Sequence, residues 1–487
     1  MLERIKNTIK DTFIYSLSNI APKIIGVILL PIYTAYLNKA EFGTWDLLDV
    51  TTNILAEIFL FGQAASLIFL NNSSEFKEKK KITLFTLFIF LFVAGTFLII
   101  ISELFISLDI ITDKIINTIY IRLIALIVLF RTLNNLFLSK YRAEEKAIFF
   151  SSISIIKLLI IAALTIYFIV NIKKGIEGIF LAAVIGEAII SIFLFLSLIR
   201  QMNFKFDFKI LKISLKFGFP LIFASLGIML LNLSDRYIIT YFLGYEANAI
   251  YGLGYRVAGV LNMFLVMPFS MSLMPIAFKY YGQQDDKRFF SKIMTYSTFV
   301  FIWGSIFISL FSKEIIKIFA LKPEFYNAFY VVPIILFSYV FSGMRLTASL
   351  GMMLTKNTKH IASITLGAAI LNIVLNLIFV PYFGILAAAI NTLIAFVIFY
   401  YITQKVSNRY FPIPFENKKL ILMICTGIIL SSFGYFLKDN FIYQILKIII
   451  ACFFPATLYL LGFFELNEIN FLNYFAKKLI VFKNGKK

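Results

Sequence analysis

Apolar runs of about twenty residues recur along this chain and constrain its fold more than any other feature. A helix needs roughly 20 apolar residues to cross the hydrocarbon core of a bilayer. Since lipid cannot satisfy backbone polar groups, segments of this length and composition are typical of membrane-spanning helices. We therefore predict an all-α integral membrane protein with fourteen spans. They cover residues 11–37, 44–70, 82–107, 117–138, 150–171, 177–199, 214–243, 248–278, 289–311, 325–354, 361–380, 383–403, 418–437 and 441–464.

The composition leaves little room for anything outside the membrane. Hydrophobic residues make up 60% of the 487 residues and charged residues 15%, with a mean hydropathy of +0.90. The longest stretch outside the spans is the segment 465–487, so we expect no soluble catalytic or binding domain. Cys425 and Cys452 both lie in apolar spans, which predicts no disulfide framework, no metal site and no bound cofactor.

The net charge of +20 would suggest nucleic acid as a partner in a soluble chain, but the placement of the charge predicts otherwise. If the N-terminus is cytoplasmic, the inside segments hold more than three times as many Lys and Arg residues as the outside loops. Because basic loops stay on the cytoplasmic side, we predict cytoplasmic termini and no nucleic-acid partner.

The chain also repeats itself weakly. Spans 1–6 and 7–12 have matching loop lengths and charges, and an offset of 206 residues places Thr34 on Thr240 and Trp45 on Tyr251. Because six helices is an even number, the two repeats should point the same way, related by an axis along the membrane normal. The predicted units are an N-terminal six-helix lobe (1–199), a cytoplasmic linker (200–213), a C-terminal six-helix lobe (214–403), a second cytoplasmic linker (404–417), helices 13 and 14 (418–464) and a basic cytoplasmic tail (465–487).

An acid and a base stand side by side in the seventh span, at Asp235 and Arg236. Ionisable side chains are costly in hydrocarbon, so they normally face a protein interior or a wet cavity. Adjacent residues project about 100° apart on a helix. We therefore expect Arg236 to face a cavity and Asp235 to hold a neighbouring helix, with a purely structural pair as the alternative.

Three acids repeat at helical spacing in the second span, at Asp46, Asp49 and Glu57. A carboxylate among apolar groups can bind a proton reversibly. These residues, followed by Glu187 of the sixth span, are therefore candidates for coupling to a proton or sodium gradient. Asn372 and Asn376 lie one turn apart in the eleventh span, where contact between helices is the favoured interpretation over a sugar contact.

Basic residues near the ends of spans are expected to behave differently from those at mid-membrane. Long side chains within about two turns of a helix end can reach the polar interface. We expect this of Arg122, Lys216 and Lys447, whereas Lys157 could reach either the headgroups or an internal cavity.

Three segments resemble the polysaccharide-transporter branch of the multidrug/oligosaccharidyl-lipid/polysaccharide flippase superfamily. They are YSLSNIAPKIIGVILLPIYTAYLNKAEFGTWDL at residues 15–47, LNLSDRYIITYFLGYEANAIYGLGYRV at 231–257 and GAAILNIVLNLIFVPYFGILAAAI at 367–390. The resemblance implies a V-shaped pair of six-helix bundles that works by alternating access. It also implies the cargo, an undecaprenyl-pyrophosphate oligosaccharide repeat unit for O-antigen, lipopolysaccharide or capsule synthesis.

A pyrophosphate headgroup needs cations, and arginine matches phosphate geometry with two parallel donors. Basic residues lie on polar stripes of spans from both halves, as a cavity between two lobes requires. We predict a cationic cargo site formed by Lys23, Arg131, Arg236, Arg256 and Arg345.

We therefore expect a monomeric, gradient-driven flippase of lipid-linked oligosaccharide in a bacterial inner membrane, surrounded by membrane lipid and with glycan polymerase machinery as a candidate partner. A flippase of the peptidoglycan lipid precursor and a drug/cation antiporter of the same superfamily are alternatives, although mid-membrane arginines argue against cationic drugs. A membrane-embedded glycan polymerase is a further alternative. It would need a large outside loop with catalytic residues, and since the outside loops are short, we expect no enzyme.

Overall fold

The computed structural model describes residues 24–109, 116–437 and 440–465, and within them the chain is helical with no β-strand. Twelve helices are long and apolar enough to cross a membrane, and a shorter apolar helix precedes them. This confirms the predicted all-α membrane fold. The helices are α1 (Ile24–Tyr36), α2 (Lys39–Asn72), α3 (Lys80–Ser107), α4 (Thr118–Ala143), α5 (Ala147–Asn171), α6 (Gly175–Gln201), α7 (Phe208–Leu243), α8 (Tyr245–Tyr280), α9 (Asp286–Leu310), α10 (Val332–Leu354), α11 (Lys359–Ser407), α12 (Asn417–Gly434) and α13 (Ile442–Leu460).

Helix α11 corresponds to two of the predicted spans. Its 49 residues are interrupted by Gly384, whose φ of 70° and ψ of −156° are not helical. Only glycine adopts this combination readily, because it lacks a Cβ. A straight helix of this length would extend about 74 Å, more than twice the hydrocarbon thickness. The exact count of fourteen spans stays a prediction, since the first predicted span begins outside the described residues.

Polar residues set the beginnings of several helices. Asn38 caps α2 by accepting from the backbone N–H of Glu41, whose side chain accepts from the N–H of Asn38 in return. Asn117 caps α4, and Asp207 caps α7 by accepting from the backbone N–H groups of Lys209 and Ile210. Caps of this kind satisfy donors that have no partner within the helix. They explain why α2 and α7 begin several residues before their apolar runs.

Helices α2 and α8 bring the two halves of the chain together at their N-terminal ends. A Cβ built on Gly43 would lie 1.8 Å from the carbonyl oxygen of Tyr245, and one on Gly252 would lie 2.4 Å from the carboxylate of Asp46. Asn248 is fully buried and donates a hydrogen bond of 2.9 Å to the carbonyl of Gly43. Only glycine at these positions permits so close an approach. In the predicted topology, this contact lies at the outer side of the membrane.

A second contact between the halves joins α2 to α7. Phe61 and Gly62 both have positive φ angles. Gly62 approaches Gly218 so closely that a Cβ added to Gly62 would lie 2.3 Å from the carbonyl oxygen of Gly218. Ser66 donates to the carbonyl of Ser214 over 2.8 Å. Helix α2 therefore contacts the second half near both of its ends.

The last two helices pack on α9, on the side of the second half. The indole of Trp303 donates to the carbonyl of Ala451 over 2.9 Å. Lys447 was expected to reach the membrane interface, and this expectation is wrong. Its side chain is buried and forms an ion pair with Glu314, because the short helix Ser312–Phe319 after α9 places a carboxylate within its reach.

Candidate functional site

A cavity of about 950 Å³ lies between the two halves of the chain. Its walls come from α1, α2, α4, α5 and α6 on one side and from α7, α8 and α10 on the other. Within the described residues, five basic and two acidic side chains line it. They are Arg131, Arg142, Lys157, Arg236, Arg256, Asp49 and Glu187.

At one end of the cavity, Asp46, Asp49, Arg236 and Arg256 form a four-charge cluster. Asp46 is fully buried. One of its carboxylate oxygens accepts from Nε of Arg236 over 3.1 Å, and the other accepts from Nε of Arg256 over 2.8 Å. Arg256 also donates to Asp49 over 2.9 Å. The cluster carries two positive and two negative charges and joins α2 of the first half to α7 and α8 of the second.

Aromatic rings hold the two arginines of the four-charge cluster in place. The guanidinium of Arg236 lies 4.4 Å from the ring centre of Tyr255, and that of Arg256 lies 4.4 Å from the ring centre of Trp45. Such contacts stabilise a desolvated cation. Arg236 is only 3% exposed, and it also donates to the carbonyl of Asn232 over 2.9 Å. Its position on the cavity wall was predicted, but its bond to Asp46 was not.

A second cluster lies deeper in the first half, around Glu187. This carboxylate accepts from Arg131 over 3.2 Å, from Lys157 over 3.2 Å and from Asn134 over 2.8 Å. Arg131 also donates to Asn53 of α2 over 2.9 Å. The side chain of Glu187 is 3% exposed, whereas those of Arg131 and Lys157 are 24% and 15% exposed. Lys157 lines the cavity, and the single carboxylate of Glu187 is shared by two cations, Arg131 and Lys157.

The remaining candidates lie elsewhere. Arg345 is not among the residues that line this cavity, and its guanidinium lies 4.5 Å from the ring centre of Phe399. Glu57 accepts a hydrogen bond from Ser225 of α7 and also lies off the cavity wall. Lys23 falls outside the described residues. The roles assigned to these three residues stay predictions.

Asp235 lies at the centre of a buried polar network in the second half. It is fully buried and accepts from Asn376 over 2.7 Å, from Thr392 over 2.8 Å and from the hydroxyl of Tyr251. The network joins α7 to α8 and α11. Sequence reasoning placed Asp235 against a neighbouring helix but did not name its partners. Among them, Thr392 carried a signal, because it forms a polar pair with Asn391 in an otherwise apolar run.

Asn372 and Asn376 extend the same network. Asn376 donates to the side-chain oxygen of Asn372 over 3.2 Å, and its own oxygen accepts from Asn391 over 2.9 Å. Asn372 donates to Thr392 over 3.3 Å. The structure therefore places both asparagines in contacts within α11 and between α11 and α7.

An Asp235→Ala variant is expected to lower the stability of the protein. The hydroxyl of Tyr251 and an amide N–H of Asn376 would lose their buried acceptor, and each unsatisfied buried group costs about 1–3 kcal/mol. The loss should appear as a drop of several degrees in the unfolding temperature of detergent-solubilised protein. A Glu324→Ala variant, at an exposed position, serves as the control and should unfold like the wild type. Equal unfolding temperatures for the two variants would contradict the assigned role of the network.

Comparisons with known proteins agree with this architecture. Residues 8–281 match the family model described as Polysaccharide biosynthesis protein, and residues 220–378 match the MatE model. An uncharacterized membrane protein of Methanocaldococcus jannaschii is 24% identical over 277 residues, which cover 54% of this chain and 53% of that protein. The chain thus spans about half the length of the curated relative that it matches.

Several solved structures share the fold. The lipid II flippase MurJ in an inward closed conformation superposes with a TM-score of 0.75 and 17% identity, covering 92% of this chain and 99% of that one. An inward-facing multidrug resistance MATE family transporter of the MOP superfamily superposes with a TM-score of 0.65 and 15% identity, covering 81% of this chain and 95% of that one. A MOP superfamily transporter from Pyrococcus furiosus superposes with a TM-score of 0.59 and 15% identity, covering 83% of this chain and 96% of that one.

Proposed function

Since the chain belongs to the polysaccharide biosynthesis protein family, within the multidrug/oligosaccharidyl-lipid/polysaccharide flippase superfamily, we propose that it moves lipid-linked oligosaccharides across a bacterial plasma membrane. The cargo would carry an anionic headgroup of the pyrophosphate type, as in repeat units for O-antigen or capsule. The protein itself is a multi-pass membrane protein of this superfamily.

The charge of the cavity is the observation that carries this proposal. Five basic and two acidic side chains face the same space of about 950 Å³, and two positive charges remain in excess when the buried Asp46, which pairs with Arg236 and Arg256, is included. Charges interact more strongly in a low-dielectric site than in water, so this excess attracts an anion and repels a cation. The cavity therefore fits a phosphate-bearing lipid headgroup better than a cationic drug.

Alternating access supplies the transport step of the proposal. The four-charge cluster and the contact of Gly43 with Tyr245 join α2 to the second half in this conformation, and in the proposed cycle they close the outer end of the cavity. Opening that end requires Asp46 to separate from Arg236 and Arg256. Separation would leave the buried Asp46 free to bind an ion, so we keep it as the first candidate for coupling to a proton or sodium gradient, with Asp49, Glu57 and Glu187 after it.

The same cavity fits the peptidoglycan lipid precursor as a second candidate cargo, because a pyrophosphate headgroup presents the same charge. The fold shared with the lipid II flippase MurJ, at a TM-score of 0.75, keeps this candidate open. For either cargo, we propose that the protein acts as a monomer without catalysis or a bound cofactor and delivers its cargo to glycan polymerase machinery.

Deleting the protein and identifying the glycan that accumulates distinguishes the two cargoes. We expect a pyrophosphate-linked oligosaccharide repeat unit to accumulate on the cytoplasmic leaflet while peptidoglycan synthesis continues, and an expressed copy should reverse the effect. Accumulation of the peptidoglycan precursor would favour the second candidate. Absence of any accumulated lipid-linked glycan would contradict both.

A further inference from the structure

The positive charges of the cavity are not all neutralised to the same extent. In the four-charge cluster, Arg236 and Arg256 of the second half are paired with Asp46 and Asp49 of α2, so this cluster has no net charge. On the first-half side, Glu187 faces both Arg131 and Lys157, which leaves one positive charge in excess. The net attraction for an anion therefore comes from the Glu187 cluster and not from the four-charge cluster.

Arg142 adds a second excess charge to the first-half wall. It lines the cavity near the C-terminal end of α4 and is exposed. Its guanidinium lies 5.7 Å from the ring centre of Phe150, and among the described residues no acidic side chain pairs with it. Unlike Arg236, it keeps its donors available to a ligand.

Arg131, Asn135, Ser139 and Arg142 follow one face of α4, and we call this set the α4 track. All four line the cavity. Spacings of three and four residues place side chains on one face of a helix, and the eleven helical steps from Arg131 to Arg142 span about 16 Å. Ser154 and Lys157 of α5 line the same cavity. The α4 track therefore runs from the helix end to the Glu187 cluster.

We propose that the anionic headgroup binds on this first-half wall, entering at Arg142 and settling at Arg131 and Lys157, and that Arg236 and Arg256 hold the cavity closed rather than bind cargo. This inference rests on the proposed function and names the binding site for it. The ligand class is a phosphate or pyrophosphate ester, since Arg supplies paired donors and Lys a point charge for phosphate oxygens. Asn135 would donate a further hydrogen bond along the way, whereas the hydroxyl of Ser139 already donates to the carbonyl of Asn135.

Binding of farnesyl pyrophosphate to the purified full-length protein tests the inference, with farnesol as the uncharged probe. We expect Arg142→Gln and Lys157→Gln to weaken binding of farnesyl pyrophosphate about tenfold or more, because a hydrogen bond to a charged group is lost in each. Arg142→Lys should retain most of the affinity. Arg200→Gln is the matched control, since Arg200 is exposed at the same end of the first half but outside the cavity.

The results of this experiment distinguish a failure of the α4 track as the binding site from a failure of the proposed function. If the wild type prefers farnesyl pyrophosphate over farnesol and Arg142→Gln binds it like Arg200→Gln, the α4 track is not the site, while the proposed function stands. If the wild type shows no preference for the charged probe, the proposed function fails together with the inference. Arg142 is exposed and makes no ion pair with the described residues, so its variant should fold, and a normal size-exclusion profile checks this.

Discussion

An Asp46→Asn variant is expected to transport at least a hundredfold more slowly than the wild type. Asp46 is the carboxylate shared by Arg236 and Arg256, and its side chain is fully buried. Removing one partner of a buried ion pair costs about 3–5 kcal/mol, because the other charge stays buried without compensation. In the proposed cycle, the contact that closes the cavity would lose its buried carboxylate, and transport would stall.

Asp49→Asn is the matched control for this prediction. Asp49 is 33% exposed and, among the described residues, forms an ion pair with Arg256 alone, so its substitution should slow transport by less than tenfold. Transport of the lipid-linked cargo can be compared for both variants at equal amounts of protein in the membrane. Equal rates for Asp46→Asn and Asp49→Asn would show that the buried carboxylate has no special role in closing the cavity.

A Gly43→Ala variant is expected to prevent the closed contact between α2 and α8. The added Cβ would lie 1.8 Å from the carbonyl oxygen of Tyr245, and a backbone atom cannot move aside as a side chain can. Alanine would otherwise favour the helix by about 1 kcal/mol, so any loss of function must come from the contact. Gly367→Ala is the control, because nothing lies within 4 Å of a Cβ at that position.

Labelling of a cysteine at position 248 measures this effect directly. Asn248 is fully buried under the contact, so Asn248→Cys should react slowly with a membrane-impermeant maleimide when Gly43 is present. The experiment requires replacement of Cys425 and Cys452, which are both exposed. We expect labelling at least tenfold faster with Gly43→Ala and unchanged with Gly367→Ala. Slow labelling in all three proteins would contradict the role of Gly43.

The membrane helices were predictable because bilayer thickness limits both their length and their composition. The predicted span 214–243 corresponds to Phe208–Leu243, and 44–70 to Lys39–Asn72. The differences lie at the N-terminal ends, where capping residues begin the helix in a polar stretch. The irregular backbone at Gly62 was not predicted, since its cause is the close approach of Gly218 from another helix.

The charged residues were found in the sequence, but their partners were not. Asp46 lies 190 residues before Arg236 and 210 before Arg256, and no helical periodicity relates such distant positions. Helical spacing predicts which side of a helix is polar, whereas the neighbour on that side depends on packing. Thus Asn53 and Glu57 of the same stripe contact different helices, through Arg131 and Ser225.

Arg142 was missed for a more local reason. The apolar run of the fourth span ends at residue 138, so the residues that follow were assigned to a loop. The helix continues to Ala143, which keeps Arg142 on the same face as Arg131. The helical spacing of Arg131, Asn135 and Arg142 was the signal that could have placed it on the cavity wall.

The most direct test of the central claim is transport by the purified protein in proteoliposomes. A pyrophosphate-linked lipid oligosaccharide would be incorporated beside a neutral glycolipid with the same sugars, and the transfer of each between leaflets would be measured under an imposed proton or sodium gradient. The cationic cavity predicts protein-dependent transfer of the pyrophosphate-linked lipid at least tenfold faster than that of the neutral glycolipid. Equal transfer of the two lipids, or no protein-dependent transfer of the charged one, would contradict the proposed flippase.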